Sequence, residues 1–109
     1  MISVIFHSDE KGQLISYEAR GHSGYAESGS DIICAGVSVL SATCLNSLES
    51  VCGIIAVLKV NTDGHIAYAL PKNLSDAQMH DAQILMKALL QGIRDMIDVY
   101  PKFIRLSMK

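Results

Sequence analysis

Of the four histidines and three cysteines in this 109-residue chain, one of each fall in a single glycine- and serine-rich stretch. Residues 21–38 read Gly21-His22-Ser23-Gly24-Tyr25-Ala26-Glu27-Ser28-Gly29-Ser30-Asp31-Ile32-Ile33-Cys34-Ala35-Gly36-Val37-Ser38. An imidazole beside a thiol can take its proton, hold the thiolate as an ion pair and then protonate a leaving amine. That is the chemistry of a cysteine peptidase. Asp31, or Ser30 before it, is suited to cap a helix, and with Asp31 as the cap Cys34 falls in the first helical turn. There, free backbone N–H groups and the positive end of the dipole favour a thiolate, and the same amides, that of Cys34 included, can donate to an oxyanion. The charge of Asp31 opposes the thiolate, so a positive partner is needed, and His22 is the candidate. Ser38, one turn beyond Cys34 on the same face, is placed to line a cleft or to bond the backbone.

Spacing alone leaves a packing role open for Cys34 and a turn or capping role open for His22. Cys44 and Cys52 read as core residues, and His7, His65 and His80 as surface or core positions without reactive neighbours. Rival chemistries fit poorly. Leu40 stands where a Cys-x5-Arg phosphatase loop needs arginine, and neither a Gly-Lys-Ser/Thr phosphate loop nor Gly-x-Gly-x-x-Gly is present. Zinc needs three or four ligands, and only His22 and Cys34 are neighbours in sequence, so no metal and no cofactor is expected. Cys34 and Cys44 on one helix would lie ~15 Å apart, beyond the ~7 Å a disulfide spans. Reduced thiols are expected, and a redox sensor would have to use Cys52 or a second molecule.

The elements that must position this stretch follow from periodicity. Residues 2–7 alternate, with Ile2, Val4 and Phe6 on one face, and Ser8-Asp9-Glu10-Lys11-Gly12 supplies a turn. Residues 13–20 alternate again, with Ile15, Tyr17 and Ala19 opposite Leu14, Ser16, Glu18 and Arg20, so a hairpin delivers the chain to Gly21. The loop over residues 23–30 has no apolar period and reads as mobile. The helix after Asp31 should bury Ile33, Val37, Leu40, Cys44 and Leu48, with Cys34, Ser38 and Ser41 on a more polar stripe. Residues 54–60 read as a strand buried on both faces, and residues 65–70 as its hairpin partner, stopped by Pro71. Ser75-Asp76-Ala77-Gln78 is a capping box opening a long helix with Ala82, Leu85, Met86, Leu89, Ile93, Met96, Ile97 and Tyr100 inward. Pro101 ends it, and residues 103–108 form a last strand. The expected fold is α+β in the order ββαββαβ, one domain over residues 1–109, with a mostly antiparallel sheet packed against two helices.

Nine basic and eleven acidic residues, with no basic block, argue against direct binding of nucleic acid. Purely apolar runs are only a few residues long, far short of the ~20 that cross a bilayer, so no membrane association is expected. The first residues lack the features of a signal peptide, which points to the cytoplasm. Half the residues are hydrophobic, more than so small a core needs, and a homodimer would cover the excess.

Taken together, Gly-His-Ser-Gly-Tyr-Ala followed by Gly-x-Asp-Ile-Ile-Cys-Ala-Gly-Val-Ser resembles the signature of the ribosomal-processing cysteine proteases called Prp. A looser similarity runs over the rest of the chain, including Tyr100-Pro101-Lys102-Phe103-Ile104. The resemblance implies a small cytoplasmic endopeptidase that removes the N-terminal extension of a large-subunit ribosomal protein, the one numbered twenty-seven. It implies Cys34 as nucleophile and His22 as base, with Gly21, Asp31 and Ser38 in support. It also implies a homodimer, a glycine-rich loop that moves when the peptide enters, and an apolar groove for a hydrophobic sequence cut after paired phenylalanines. Ser28 and Ser30 stand where relatives often carry lysine, which makes this loop less basic. A non-catalytic ribosome-assembly or peptide-binding module that keeps the motif as a groove is the alternative.

Overall fold

Ile2, Val4 and Phe6 alternate with more polar neighbours, and this pattern builds the first strand, β1 (Ile2–Ser8), whose inward side chains are fully buried. In the computed structural model, which describes every residue except Ser28, the order is β1, β2 (Leu14–Arg20), α1 (Ile32–Ser50), β3 (Val57–Thr62), β4 (His65–Ala69), α2 (Asp76–Val99) and β5 (Ile104–Met108). The expected ββαββαβ order and α+β class are therefore observed. The strands form one sheet in the order β3-β4-β2-β1-β5. Only β1 and β5 run parallel, because α2 carries the chain back across the sheet between β4 and β5, and the other neighbours are antiparallel.

Both helices pack on one face of the sheet, over a core that includes Val4, Phe6, Tyr17, Ile33, Leu48, Tyr68, Met86 and Ile93. Phe6 and Tyr17 meet edge to face at 5.0 Å. The capping box of α2 is complete: Gln78 N–H donates to Ser75 Oγ and Ser75 N–H to Gln78 Oε1. Gln83, a buried polar residue of α2, closes both groups of Leu14, accepting from its N–H at 2.7 Å and donating to its carbonyl at 2.9 Å.

Five details differ from expectation. Leu14 is buried alongside Tyr17 rather than facing away, because the ladder shifts between His7 and Ser8 and the Gln83 clamp draws this end inward. Ser41 is fully buried instead of lying on a polar stripe, while Leu40 is only half-buried. Ser41 Oγ donates to Val37 O and receives the Tyr17 hydroxyl, and Ser41 O accepts from the Tyr68 hydroxyl, so every polar group is answered. Burial pushes the Tyr17 hydroxyl up to about 12, the Ser41 bond offsetting it only partly, and raises that of Tyr68 further.

Residues 54–60 are not a strand buried on both faces. Ile54 and Ala56 are buried, but β3 begins at Val57, pairs only with β4 and forms the sheet's edge. Leu58 is 80 % exposed at φ +53, within an irregularity between Val57 and Val60 that distorts the edge. Finally, α1 as a whole is long and apolar enough by composition to cross a membrane. Serines, threonine and asparagine break its apolar runs, but no charge appears before Glu49. Its inner face of Ile33, Val37, Ser41, Cys44 and Leu48 is committed to the core.

Candidate active site

The end of β2, the turn between β3 and β4, and the start of α1 converge. Because β2 pairs with β4, Arg20 lies opposite His65, and the β3–β4 turn arrives beside the residues that follow β2. Gly21 N–H donates to Gly64 O at 2.8 Å and locks the two segments together. Gly21 sits at φ +97, where a Cβ would fall 2.6 Å from Met1 O, so a side chain is excluded twice over. This gives Gly21 a supporting role in backbone terms: it lets the chain turn out of β2 and present His22.

The expected cap is present. Asp31 Oδ1 accepts the N–H groups of Ile33 and Cys34, both at 3.0 Å, which places Cys34 in the first turn of α1. Asp31 Oδ2 accepts the Ser23 hydroxyl, and also the Ala26 N–H at 3.3 Å. One carboxylate thus joins the loop to the helix. The Ser23 hydroxyl, then the backbone donors, hold its pKa well below the usual carboxylate range against the opposing effect of burial. The Cys34 N–H is therefore already engaged with the cap, contrary to the expectation that it is free for an oxyanion.

Cys34 is half-buried, and its Sγ accepts the backbone N–H of Ser23 at 3.3 Å. His22, the neighbour of that amide, keeps its side chain 60 % exposed, with Nε2 4.0 Å from Asp63 Oδ2 in the β3–β4 turn. Its ring lies directly over Gly64, where a Cβ would meet Nε2 at 2.8 Å. His22, Cys34 and Ser38 all line a cavity of about 200 Å³ whose walls include Val37, Gly64 and Ile66. The same three residues border a second depression under the loop, with Asp31 and Asp63. No hydrogen bond joins the imidazole to the Cys34 sulfur among the described residues; the two groups face a shared cleft.

The structure thus gathers His22, Cys34, Asp31, Gly21 and Ser38 at one place. Two participants had no sequence signal of their own. Ser23 reads as an ordinary loop serine, yet it is 4 % exposed and touches both Asp31 and Cys34. Asp63 reads as a hairpin-turn residue, and only the pairing of β2 with β4 brings it to His22. The loop carries a further anchor, since Tyr25 packs edge to face on Tyr100 and Phe103 at 6.0 and 5.4 Å. Expectations about Ser28 lie outside the described residues.

A thiol in the first turn of a helix, an imidazole across a cleft and a five-stranded α+β scaffold define a protein of the cysteine-protease class. Residues 1–105 match the family described as Cysteine protease Prp, and the chain belongs to that family. It is 26 % identical over 106 residues to the ribosomal processing cysteine protease Prp of Bacillus subtilis (strain 168), covering 96 % of this chain and 94 % of that protein. A crystal structure of Prp from S. aureus, in complex with a covalently linked product peptide, superposes with a TM-score of 0.89 at 24 % identity, all of both chains being covered. The structure of SMU.848 from Streptococcus mutans gives a TM-score of 0.80 at 30 % identity, covering 99 % of this chain and 93 % of that one. The enzyme class is a cysteine endopeptidase, a hydrolase.

Proposed function

We propose that this protease removes the N-terminal extension of the large-subunit ribosomal protein numbered twenty-seven, with Cys34 as nucleophile and His22 as general base. The observation that carries this reading is the placement of the Cys34 thiol, in the first turn of α1, on the same cleft as the His22 ring. Relatives that share the length of the chain are named for ribosomal processing.

In this mechanism His22 takes the thiol proton and the thiolate attacks the scissile carbonyl, forming a C–S bond and an oxyanion. The C–N bond then breaks, and the imidazolium gives its proton to the departing amine. Water, deprotonated by His22, attacks the thioester, and the carboxylate product leaves as Cys34 regains its proton. The His22 side chain is 60 % exposed on the open side of the cleft, so a peptide bound there covers the pair from solvent. Asp31 and Ser38 hold the start of α1 and the cleft wall, and the described loop residues beyond Ala26 move as the peptide enters.

The reading extends to location and assembly. The enzyme works in the cytoplasm, where thiols stay reduced, and its three cysteines are unpaired. A homodimer covers the apolar outer side of α1, where Ile32 and Val39 are exposed. The test is incubation of the purified protease with the ribosomal protein carrying its extension, followed by N-terminal sequencing of the product. Cleavage at one hydrophobic site, absent with Cys34→Ala, is expected. Stoichiometric binding without cleavage would replace this reading with a peptide-binding module.

A further inference from the structure

We infer that Ser23 is a positioning residue of the active site: its buried hydroxyl, held by Asp31, aims its own backbone N–H at the Cys34 sulfur. The inference rests on the reading of Cys34 as the nucleophile.

Each bond around Ser23 has one allowed direction. The Ser23 Oγ accepts the Tyr25 N–H at 3.0 Å, and Asp31 as a carboxylate can only accept, so the hydroxyl proton must point to Asp31 Oδ2. Asp31 is itself fixed, because Oδ1 is occupied by the first amides of α1. The chain Tyr25 N–H, Ser23 Oγ, Asp31, α1 is thus closed, and it leaves the Ser23 N–H to donate to Cys34 Sγ at 3.3 Å. A charge-assisted N–H bond to sulfur favours the thiolate over the thiol. The Cys34 N–H cannot serve, being bonded to Asp31, which makes the Ser23 amide the backbone donor directed at the reactive atom.

The other ionisable groups facing this sulfur are His22 after β2, Asp31 at the helix cap, and Asp63 and His65 from the β3–β4 hairpin. Ser23→Ala changes none of these charges. It removes only the tether, so the amide loses its aim. The pH profile of Cys34 alkylation by iodoacetamide should then differ from the native one, with alkylation at and below neutral pH slowed ~10-fold. Peptide cleavage should fall ~10-fold in kcat with KM nearly unchanged, and Ser23→Thr, which keeps the hydroxyl, should restore most of both.

The experiment compares the native enzyme, Ser23→Ala and Ser23→Thr, with alkylation located by mass spectrometry and folding followed by circular dichroism. If alkylation of Cys34 leaves native cleavage intact, the nucleophile reading itself fails. If alkylation abolishes cleavage but Ser23→Ala keeps the native pH profile, only the role of Ser23 is overturned. Should Ser23→Ala not fold, the unmutated protein decides: the Ser23 amide resonance should shift with the Cys34 titration and cease to do so in Cys34→Ala. An amide insensitive to that titration overturns the inference.

Discussion

Gly64→Ala separates the position of His22 from the stability of the fold. Gly64 lies in the β3–β4 turn at φ +72, and a Cβ built there falls 2.8 Å from His22 Nε2 and 3.3 Å from Cε1. Ordinary contact begins at 3.4 Å, so the ring must retreat by about 0.6 Å or more, a displacement of the order that costs ~100-fold in rate when a catalytic group is involved. The retreat is sterically easy because the His22 side chain is 60 % exposed. What remains is the strain of alanine at positive φ, about 1–2 kcal/mol, or ~4–16 °C in Tm for a domain of this size. Gly12→Ala is the matched control, with φ +79 and nothing within 4 Å of the added Cβ. It carries similar strain without touching the site. Peptide cleavage and thermal melting on both variants should show comparable losses of Tm, with kcat/KM reduced ~100-fold in Gly64→Ala alone. Equal activities in the two variants would refute the reasoning that the imidazole acts from its place over Gly64.

Other perturbations have outcomes that follow from the same contacts. Ser41→Ala leaves the Tyr17 hydroxyl without its buried partner and should cost ~1–3 kcal/mol, read as a lower midpoint in urea. Ser75→Ala breaks the α2 capping box and should cost ~1 kcal/mol, while kcat/KM stays at the native value. The pKa of Asp31 is lower in the folded state, so its contribution to stability is complete above the unfolded carboxylate value of ~3.9 and is lost as pH falls through the lower folded value. The stability difference between the native protein and Asp31→Asn should accordingly be largest near neutral pH and shrink below about pH 4. Hydrogen exchange over the described part of residues 23–30 should slow on addition of substrate peptide if the loop closes over it; unchanged exchange would count against that closure.

The elements were readable wherever one local rule sufficed. Alternation placed β1, the capping box placed the start of α2, and Asp31 announced α1. The edge position of β3 is hidden in the sequence because an apolar run looks the same whether neighbours cover it or not. The sequence of residues 54–60 does not say that β3 lies last in the sheet, which depends on β2 choosing β4 as its partner. The burial of Ser41 is hidden for a related reason: its hydroxyl is tolerable inside only because Val37 O accepts its proton and the Tyr17 hydroxyl, brought in by β2, donates to it. At the site, residue type and spacing nominate His22, Cys34 and Asp31 but leave packing and turn roles open, and it is the resemblance over residues 21–38 that singles them out. The contributions of Ser23, Asp63 and Gly64 are made across the fold, by contacts that local spacing does not encode.

The most direct test of Cys34 as nucleophile and His22 as base is acid quenching during the first turnover of a cut-site peptide, followed by mass spectrometry of the intact protein and its fragments. The account predicts an adduct with the mass of the N-terminal peptide fragment on Cys34, absent in Cys34→Ala and formed at least 100-fold more slowly in His22→Ala. Cleavage by Cys34→Ala at the native rate, or an adduct on another residue, would contradict it.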